Sequence, residues 1–216
     1  MSEPRRIIGV DESGKGDFFG PLVVAAFGGD QSARKLLAEA GVRDSKSVAD
    51  NRLLKIDAYL RQNFEFEVVV VMPEEYNQLY DRIRNLNKLL AEGHAEVIDR
   101  LHRRWRADMA ISDKFGKTEL VEDALDRREC DVNLKQMVRG EAVPEVAAAS
   151  IIARAEFIMR LKTLSQEYGI EIPKGAAPKV DSAGREIVRL FGPEVLPKLA
   201  KLHFKNYQRV VNPTLF

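Results

Sequence analysis

Short apolar runs predict strands at several places along the chain. Ile7–Val10 and Leu22–Phe27 are apolar and are separated by a glycine-rich turn, while Phe64–Met72 first alternates and then becomes continuously apolar. Runs of this length, bounded by glycine or charged residues, are typical of strands that enter a core. Two further runs, Met109–Ser112 and Cys130–Leu134, predict additional strands.

Helical periodicity dominates the segments between and after these runs. Apolar residues recur at spacings of three and four, as in Leu53, Ile56 and Leu60, which lie on one helix face. Proline opens several of these segments and Gly169 closes one, as expected at helix boundaries. Helices are predicted over residues 31–40, 50–62, 73–105 with a break near 85–87, 117–127, 144–169, 181–191 and 193–207.

The order of these elements predicts an α/β fold, in which an early meander is followed by strands that alternate with helices. A chain of 216 residues suffices for one domain with a sizeable core. The sequence contains no repeat, low-complexity tract or linker-like stretch. We therefore expect a single domain over residues 1–216.

Composition excludes some classes of protein. Hydrophobic residues make up 45% of the chain and charged residues 31%, as in ordinary globular proteins, and a net charge of +1 argues neither for nor against a polyanionic partner. The single cysteine, Cys130, excludes an intramolecular disulfide and a cysteine-rich zinc site. The N-terminus lacks the apolar segment of a signal peptide, and the apolar runs are too short to span a membrane. We expect a cytoplasmic protein.

Acidic residues stand at the ends of two predicted strands. Asp11 and Glu12 end the first strand and Asp113 ends a later one, and strand ends are where an α/β sheet displays chemistry. Neighbouring side chains in a regular strand point to opposite faces, so Asp11 and Glu12 share a site only if the chain turns at Ser13-Gly14. Clustered carboxylates hold pairs of Mg²⁺ ions for phosphoryl transfer. Solvated strand-end acids are the equally open alternative.

The segment Gly9–Pro21, GVDESGKGDFFGP, carries four glycines around one lysine. It lacks the spacing of a phosphate-binding P-loop. Gly14-Lys15-Gly16 has the composition to bring backbone N–H groups close to a sugar–phosphate, with Lys15 neutralising charge. A tight turn with an exposed lysine explains the same residues.

A series of motifs resembles the type 2 ribonucleases H, and the form SGKGDFFGPL at residues 13–22 resembles ribonuclease HIII rather than HII. The motifs occur in the family's order over nearly the whole chain. They are DESGKGDFFGPL (11–22), RDSKSV (43–48), NLNKLLAEGHA (85–95), ISDKF (111–115), VAAASIIAR (146–154), IPKGA (172–176) and AKLHFKN (200–206).

The resemblance implies a ribonuclease H-like fold with a five-stranded mixed sheet flanked by helices and a helical C-terminal part. It implies endonucleolytic hydrolysis of the RNA strand of RNA–DNA hybrids, leaving 5′-phosphate and 3′-hydroxyl ends. Mg²⁺ or Mn²⁺ is the implied cofactor, in a two-metal mechanism. The hybrid is the expected partner, with no membrane and no obligate protein partner.

The resemblance also implies roles for individual residues. The metal-binding, catalytic carboxylates fall on Asp11, Glu12, Asp113 and Glu141. In Gly140-Glu141 the acid is glutamate, the variant associated with ribonuclease HIII, where HII enzymes carry aspartate. Gly14, Lys15 and Gly16 are implied to read the RNA 2′-hydroxyl, the group that distinguishes RNA from DNA. The other implied substrate contacts are Lys46, Ser150 and Lys174.

Two departures from the family bear on substrate choice. Ribonuclease HIII enzymes usually carry an N-terminal hybrid-binding domain, yet ten residues precede Asp11. Type HII enzymes use a tyrosine at RNA–DNA junctions, where this chain has Ala176 and Ala177. An HII-like enzyme that cuts at single embedded ribonucleotides and a non-catalytic hybrid-binding module are the alternatives. Glu141 and the missing tyrosine argue against the first, and the four carboxylates argue against the second.

Two basic clusters allow two interpretations. Lys198, Lys201, Lys205 and Arg209 are predicted to follow one helical stretch without acids, and Arg100, Arg103, Arg104 and Arg106 surround Trp105. Each cluster is either a solvated helix face or a surface that binds successive phosphates of a nucleic acid. We predict that the C-terminal cluster binds phosphates and compensates for the missing N-terminal domain, unless the stem of Lys201 is buried. His94 and His102 are not expected to bind zinc.

Overall fold

The computed structural model describes residues 6–39, 42 and 48–212, and its elements follow the predicted order. The strands are β1 (Arg6–Ser13), β2 (Leu22–Asp30), β3 (Glu65–Val71), β4 (Met109–Asp113) and β5 (Asn133–Met137). The helices are α1 (Gln31–Glu39), α2 (Asp50–Asn63), α3 (Pro73–Ile83), α4 (Leu86–Trp105), α5 (Glu119–Asp126), α6 (Pro144–Tyr168), α7 (Pro178–Phe191), α8 (Leu196–Leu199) and α9 (Lys205–Val211). Single 3-10 turns cover Gly140–Ala142 and Pro193–Val195.

The described strands form a five-stranded mixed sheet in the order β3-β2-β1-β4-β5. β1 and β4 pair in parallel, with Ile7 opposite Met109 and Val10 opposite Ser112, and β4 pairs in parallel with β5. Parallel neighbours require a crossover connection, which the helices between β1 and β4 supply. The predicted α/β fold with a five-stranded mixed sheet is confirmed.

The chain packs as two compact units. The first comprises Met1–Glu12, Val24–Val69 and Asn85–Ala155. The second comprises Ser13–Val23, Val70–Arg84 and Glu156–Phe216. The single domain over residues 1–216 stays a prediction.

The core of the first unit forms where helix α4 packs on the sheet. Ile8 of β1, Val24 of β2 and Ala110 of β4 are fully or almost fully buried in one apolar cluster with Ala95 and Ile98 of α4. Small residues let the helix approach closely, since a Cβ at Gly93 would lie 2.9 Å from Val24. The Asn85 side chain accepts a hydrogen bond from the N–H of Lys88, which caps α4. This cap explains the predicted break in the long helical region.

The structure corrects two boundaries. β5 begins at Asn133, three residues later than predicted, because its pairing with β4 starts with Asn133 opposite Met109. The predicted helix over residues 193–207 is wrong, because α8 ends at Leu199 and the chain then turns extended. Ala200 forms an antiparallel bridge with Phe19, which interrupts the helical hydrogen bonding.

This interruption overturns the predicted basic face at the C-terminus. Lys198 lies in α8, Lys205 begins α9, and Lys201 lies between the two helices with its side chain completely buried. Lys201 therefore contacts no phosphate. Arg209 pairs with Asp181 at 2.7 Å, which occupies its guanidinium. Among the described residues, no helix is both long enough and apolar enough to cross a bilayer.

Candidate active site

The register of β1 and β4 places two of the predicted carboxylates side by side. Val10 pairs with Ser112, so the next residues, Asp11 and Asp113, stand level at the ends of the two paired segments. Neighbouring strands lie about 4.8 Å apart, and residues level in a parallel pair point to the same face. Asp11 and Asp113 therefore project from adjacent strands toward a common region.

Asp11 lies where negative charge is concentrated. Burial, and after it the charge of neighbouring Glu12, raise the pKa of Asp11 to about 6. Hydrogen bonds from Ser150 and from the Glu12 N–H, at 2.8 Å, and the proximity of His94 act in the opposite direction. Two carboxylates held together without a full counter-charge favour the binding of a cation.

A buried histidine connects Glu12 to β4. His94 of α4 is fully buried, with Nε2 3.1 Å from Glu12 Oε2 and Nδ1 3.0 Å from Ser112 Oγ. The Ser112 hydroxyl lies 3.0 Å from the carbonyl oxygen of Asp113, to which it donates. The Phe115 ring packs 4.7 Å from the His94 ring. These contacts fix the orientation of the Glu12 carboxylate relative to the end of β4.

Sequence reasoning assigned His94 no role beyond an improbable zinc ligand. His94 nevertheless lies in one of the motifs that carried the resemblance, residues 85–95, and that position was the available signal. The helical pattern around His94 did not show which residue it would contact. Its partner Glu12 is 82 residues away in the chain.

The 3-10 turn Gly140–Ala142, which contains Glu141, contacts Asp113 through Gly140. The Gly140 N–H donates to Asp113 Oδ1 at 2.9 Å. A Cβ at Gly140 would lie 3.0 Å from the Asp113 Cα, so a side chain there would crowd the backbone at the end of β4. Glu141 follows in an exposed position. Glycine at position 140 thus allows the turn to approach the carboxylate.

The chemistry of the carboxylates fits a divalent cation. Asp11, Glu12, Asp113 and Glu141 offer only oxygen donors, the ligands that Mg²⁺ and Mn²⁺ prefer. Within residues 6–39, 42 and 48–212, however, no three carboxylate, histidine or cysteine side chains are arranged as a group that could hold an ion. Like charges repel, and a bound cation would lower the cost of bringing these side chains closer together. The donor chemistry thus fits the implied ions, and the ligand set itself stays a prediction.

The glycine loop after β1 belongs to the second unit. Gly14 has φ +88°, and a Cβ there would lie 2.2 Å from the Pro21 carbonyl oxygen, so only glycine fits. Lys15 and Gly16 are exposed. The loop is tied to the segment that carries exposed Lys174, because the Gly175 N–H donates to Asp17 Oδ1 at 2.6 Å.

The other predicted substrate residues are placed differently. Ser150 hydrogen-bonds Asp11 in the first unit, and Lys46 lies outside the described residues. Of the arginines near Trp105, Arg103 pairs with Asp99 at 2.8 Å and Arg104 with Glu65 at 3.1 Å. That arrangement favours ion-paired helix faces over a phosphate-tracking surface.

Comparison with known proteins identifies the family. The family model described as ribonuclease HII matches residues 8–207. Ribonuclease HIII of Chlamydia pneumoniae is 42% identical over 206 residues, which cover 94% of this chain and 69% of the relative. This chain belongs to the ribonuclease HIII family. It is a ribonuclease H, and hence a hydrolase.

Solved structures agree with this identification. Bst-RNase HIII in complex with Mn²⁺ superposes with a TM-score of 0.90 at 32% identity, covering 96% of this chain and 69% of the other. Ribonuclease H2 from Pyrococcus horikoshii OT3 superposes with a TM-score of 0.82 at 23% identity, covering 95% of this chain and 96% of the other, a likeness of fold alone. The predicted family and ribonuclease H-like fold are confirmed.

Proposed function

We propose that this ribonuclease HIII family member cuts the RNA strand of RNA–DNA hybrids endonucleolytically, with divalent ions held by Asp11, Glu12, Asp113 and Glu141. Cleavage of RNA in hybrids follows from its family membership. The ligands and the 5′-phosphate and 3′-hydroxyl products are the finer part of the proposal. The observation that supports it most directly is that Asp11 and Asp113 stand at the same level on neighbouring parallel strands.

Three of the four carboxylates have distinct environments that suit a ligand. Asp11 is half-buried and oriented by Ser150 and the Glu12 N–H. Asp113 has one oxygen held by the Gly140 N–H, which leaves the other oxygen for a cation. Glu12 is held by His94. When bound, Mg²⁺ or Mn²⁺ would stabilise the charge that develops on the attacking and leaving oxygens. The protein's part is to hold these carboxylates in place.

The loop Gly14-Lys15-Gly16 is proposed to recognise the 2′-hydroxyl of the RNA strand. A Cβ at Gly16 would meet nothing within 4 Å, so the loop surface is open to a ligand. Exposed backbone N–H and C=O groups can donate to or accept from a hydroxyl, whereas a deoxyribose offers no partner. Lys174 lies in the segment tied to this loop and would add positive charge. A cytoplasmic location also stays a prediction.

The test compares three labelled duplexes under three ionic conditions. A continuous hybrid, a DNA duplex with one ribonucleotide and an all-DNA duplex are each incubated with Mg²⁺, Mn²⁺ or EDTA. We expect rapid cutting of the hybrid with a divalent ion, slow cutting at the single ribonucleotide, none of DNA, and none in EDTA. Faster cutting at the single ribonucleotide would favour the HII-like alternative. Cleavage in EDTA would contradict the metal site.

A further inference from the structure

Lys201 lies between α8 and α9 with no part of its side chain exposed. Lysine is almost never fully buried unless its ammonium group is paired, because desolvating a charge is costly. Lys201 of the segment Ala200–Asn206 therefore lies in the interior of the second unit. Its contacts indicate what the buried group does.

The ammonium group of Lys201 donates to the backbone of the glycine loop. Nζ donates to the Gly20 carbonyl oxygen at 2.6 Å and to the Asp17 carbonyl oxygen at 3.0 Å. It also lies 5.6 Å from the centre of the Tyr76 ring, within the range of a cation–π interaction. The ammonium group thus has two backbone acceptors and an aromatic ring as its partners within the protein.

The backbone of Lys201 contacts the same loop. Its N–H donates to the Phe18 carbonyl oxygen at 2.8 Å, so one residue satisfies the carbonyls of Asp17, Phe18 and Gly20. Gly14 and Gly20, at the two ends of the loop, have φ of +88° and +80°, and glycine has many conformations to lose there. The loop conformation therefore depends on contacts from outside it.

We propose that Lys201 is the positioning residue of the substrate loop, holding the backbone of Gly14–Gly20 from the inside so that Lys15 and Gly16 present their outer surface to the hybrid. This inference rests on the proposed role of Gly14-Lys15-Gly16. Burial lowers the pKa of Lys201 to about 7, because desolvation disfavours the charged ammonium group, while the charge of Asp17 acts in the opposite direction.

The test removes the donors while keeping the length of the side chain. In Lys201→Met, we expect the KM for a hybrid to rise about tenfold or more, because a displaced loop loses binding geometry. The kcat should stay within about threefold, since Lys201 reaches no reacting group. The salt dependence of hybrid affinity should not change, because no phosphate contact is lost. Lys162→Met, an exposed lysine of α6 in the same unit, is the matched control.

Other outcomes separate the competing explanations. A salt slope reduced by about one unit would mean that Lys201 contacts a phosphate, and would overturn the inference. A lower melting temperature with an unchanged KM would mean a merely structural role. Should Lys201→Met fail to fold, Lys201→Gln, which retains a donor amide, takes its place. Failure of both variants to fold would also overturn the inference, because Lys201 would then be required by the fold rather than by the loop.

A parallel variant distinguishes failure of this inference from failure of the proposed function. Lys15→Ala should raise the KM for the hybrid if the loop binds substrate. A raised KM in Lys15→Ala with a normal KM in Lys201→Met overturns only the positioning role. A normal KM in both variants overturns the substrate role of the loop together with the inference, while leaving the carboxylate site to its own test.

Discussion

The two compact units bury opposite charges in opposite ways. In the first, Glu12 is hydrogen-bonded to His94, and burial and repulsion by Glu12 raise the pKa of Asp11 to about 6. In the second, the ammonium group of Lys201 is surrounded by carbonyl oxygens and the Tyr76 ring. The first arrangement leaves negative charge for a ligand to neutralise, whereas the second is satisfied internally.

This difference separates residues proposed to bind a ligand from a residue that positions a segment of the backbone. A buried charge whose partners are all within the protein stabilises a conformation, as Lys201 does for the glycine loop. A pair of like charges that is only partly compensated is costly for the fold, and a bound cation would compensate it. Four predictions test this distinction.

The largest effect is expected at the uncompensated charges. Asp11→Asn and Asp113→Asn should each lower hybrid cleavage about 10³-fold or more, because a ligand charge is lost with almost no change in volume. Asp11→Asn should also keep or raise the melting temperature, since it removes a repulsion with Glu12. Asp123→Asn, at an exposed carboxylate of α5, is the control for cleavage and melting. Substantial Mg²⁺-dependent cleavage by either variant would contradict the ligand assignment.

The packing that supports the carboxylates gives the next effect. A Cβ at Gly9, two residues before Asp11, would lie 2.1 Å from the backbone carbonyl carbon of Glu145 at the start of α6. Gly9→Ala should therefore lower the free energy of unfolding by about 3 kcal/mol, measured by urea denaturation. Gly16→Ala, where a Cβ meets nothing within 4 Å, should leave this free energy unchanged. Equal stability of the two variants would mean that α6 does not pack tightly on β1.

A smaller effect is expected from the histidine that orients Glu12. His94→Ala should lower cleavage about 10- to 100-fold and weaken Mn²⁺ binding, because partners that orient a ligand contribute to metal affinity. His102 of α4 is a matched control, since its Nε2 also lies 3.1 Å from a carboxylate, that of Asp131. His102→Ala should leave Mn²⁺ affinity unchanged in calorimetry. The same loss of affinity in both variants would assign His94 a general role in the stability of α4.

The smallest effect is expected at Lys201, whose ammonium group has its partners within the protein. The pKa of Lys201 is about 7 in the folded protein and near 10.5 when unperturbed, so the unfolded state binds more protons between these values. The free energy of unfolding of the wild-type protein should therefore rise with pH. Between pH 7 and about pH 8.5, this rise should exceed that of Lys201→Met by about 1.5 kcal/mol. Urea unfolding of both proteins at the two pH values measures this difference. Parallel pH dependence in the two proteins would mean that burial does not perturb Lys201.

Local patterns in the chain were enough for much of the fold and for part of the candidate site. Apolar runs and helical spacing predicted β1 to β4 and most helices, because these signals depend on residues only a few positions apart. Asp11, Glu12 and Asp113 were candidates because polar residues at strand ends are visible in the sequence. The motifs then indicated the ribonuclease HIII family, which the comparisons confirmed.

Contacts between distant residues decided the remainder. β5 starts at Asn133 because its partner is Met109, and no local pattern contains that pairing. Lys201 lay on an apparent basic helix face, yet it is buried against Gly20, 181 residues away. His94 meets Glu12 across 82 residues. Periodicity predicts which face of an element is apolar, but whether a charged side chain ends in solvent or against a partner depends on which distant segment packs over it.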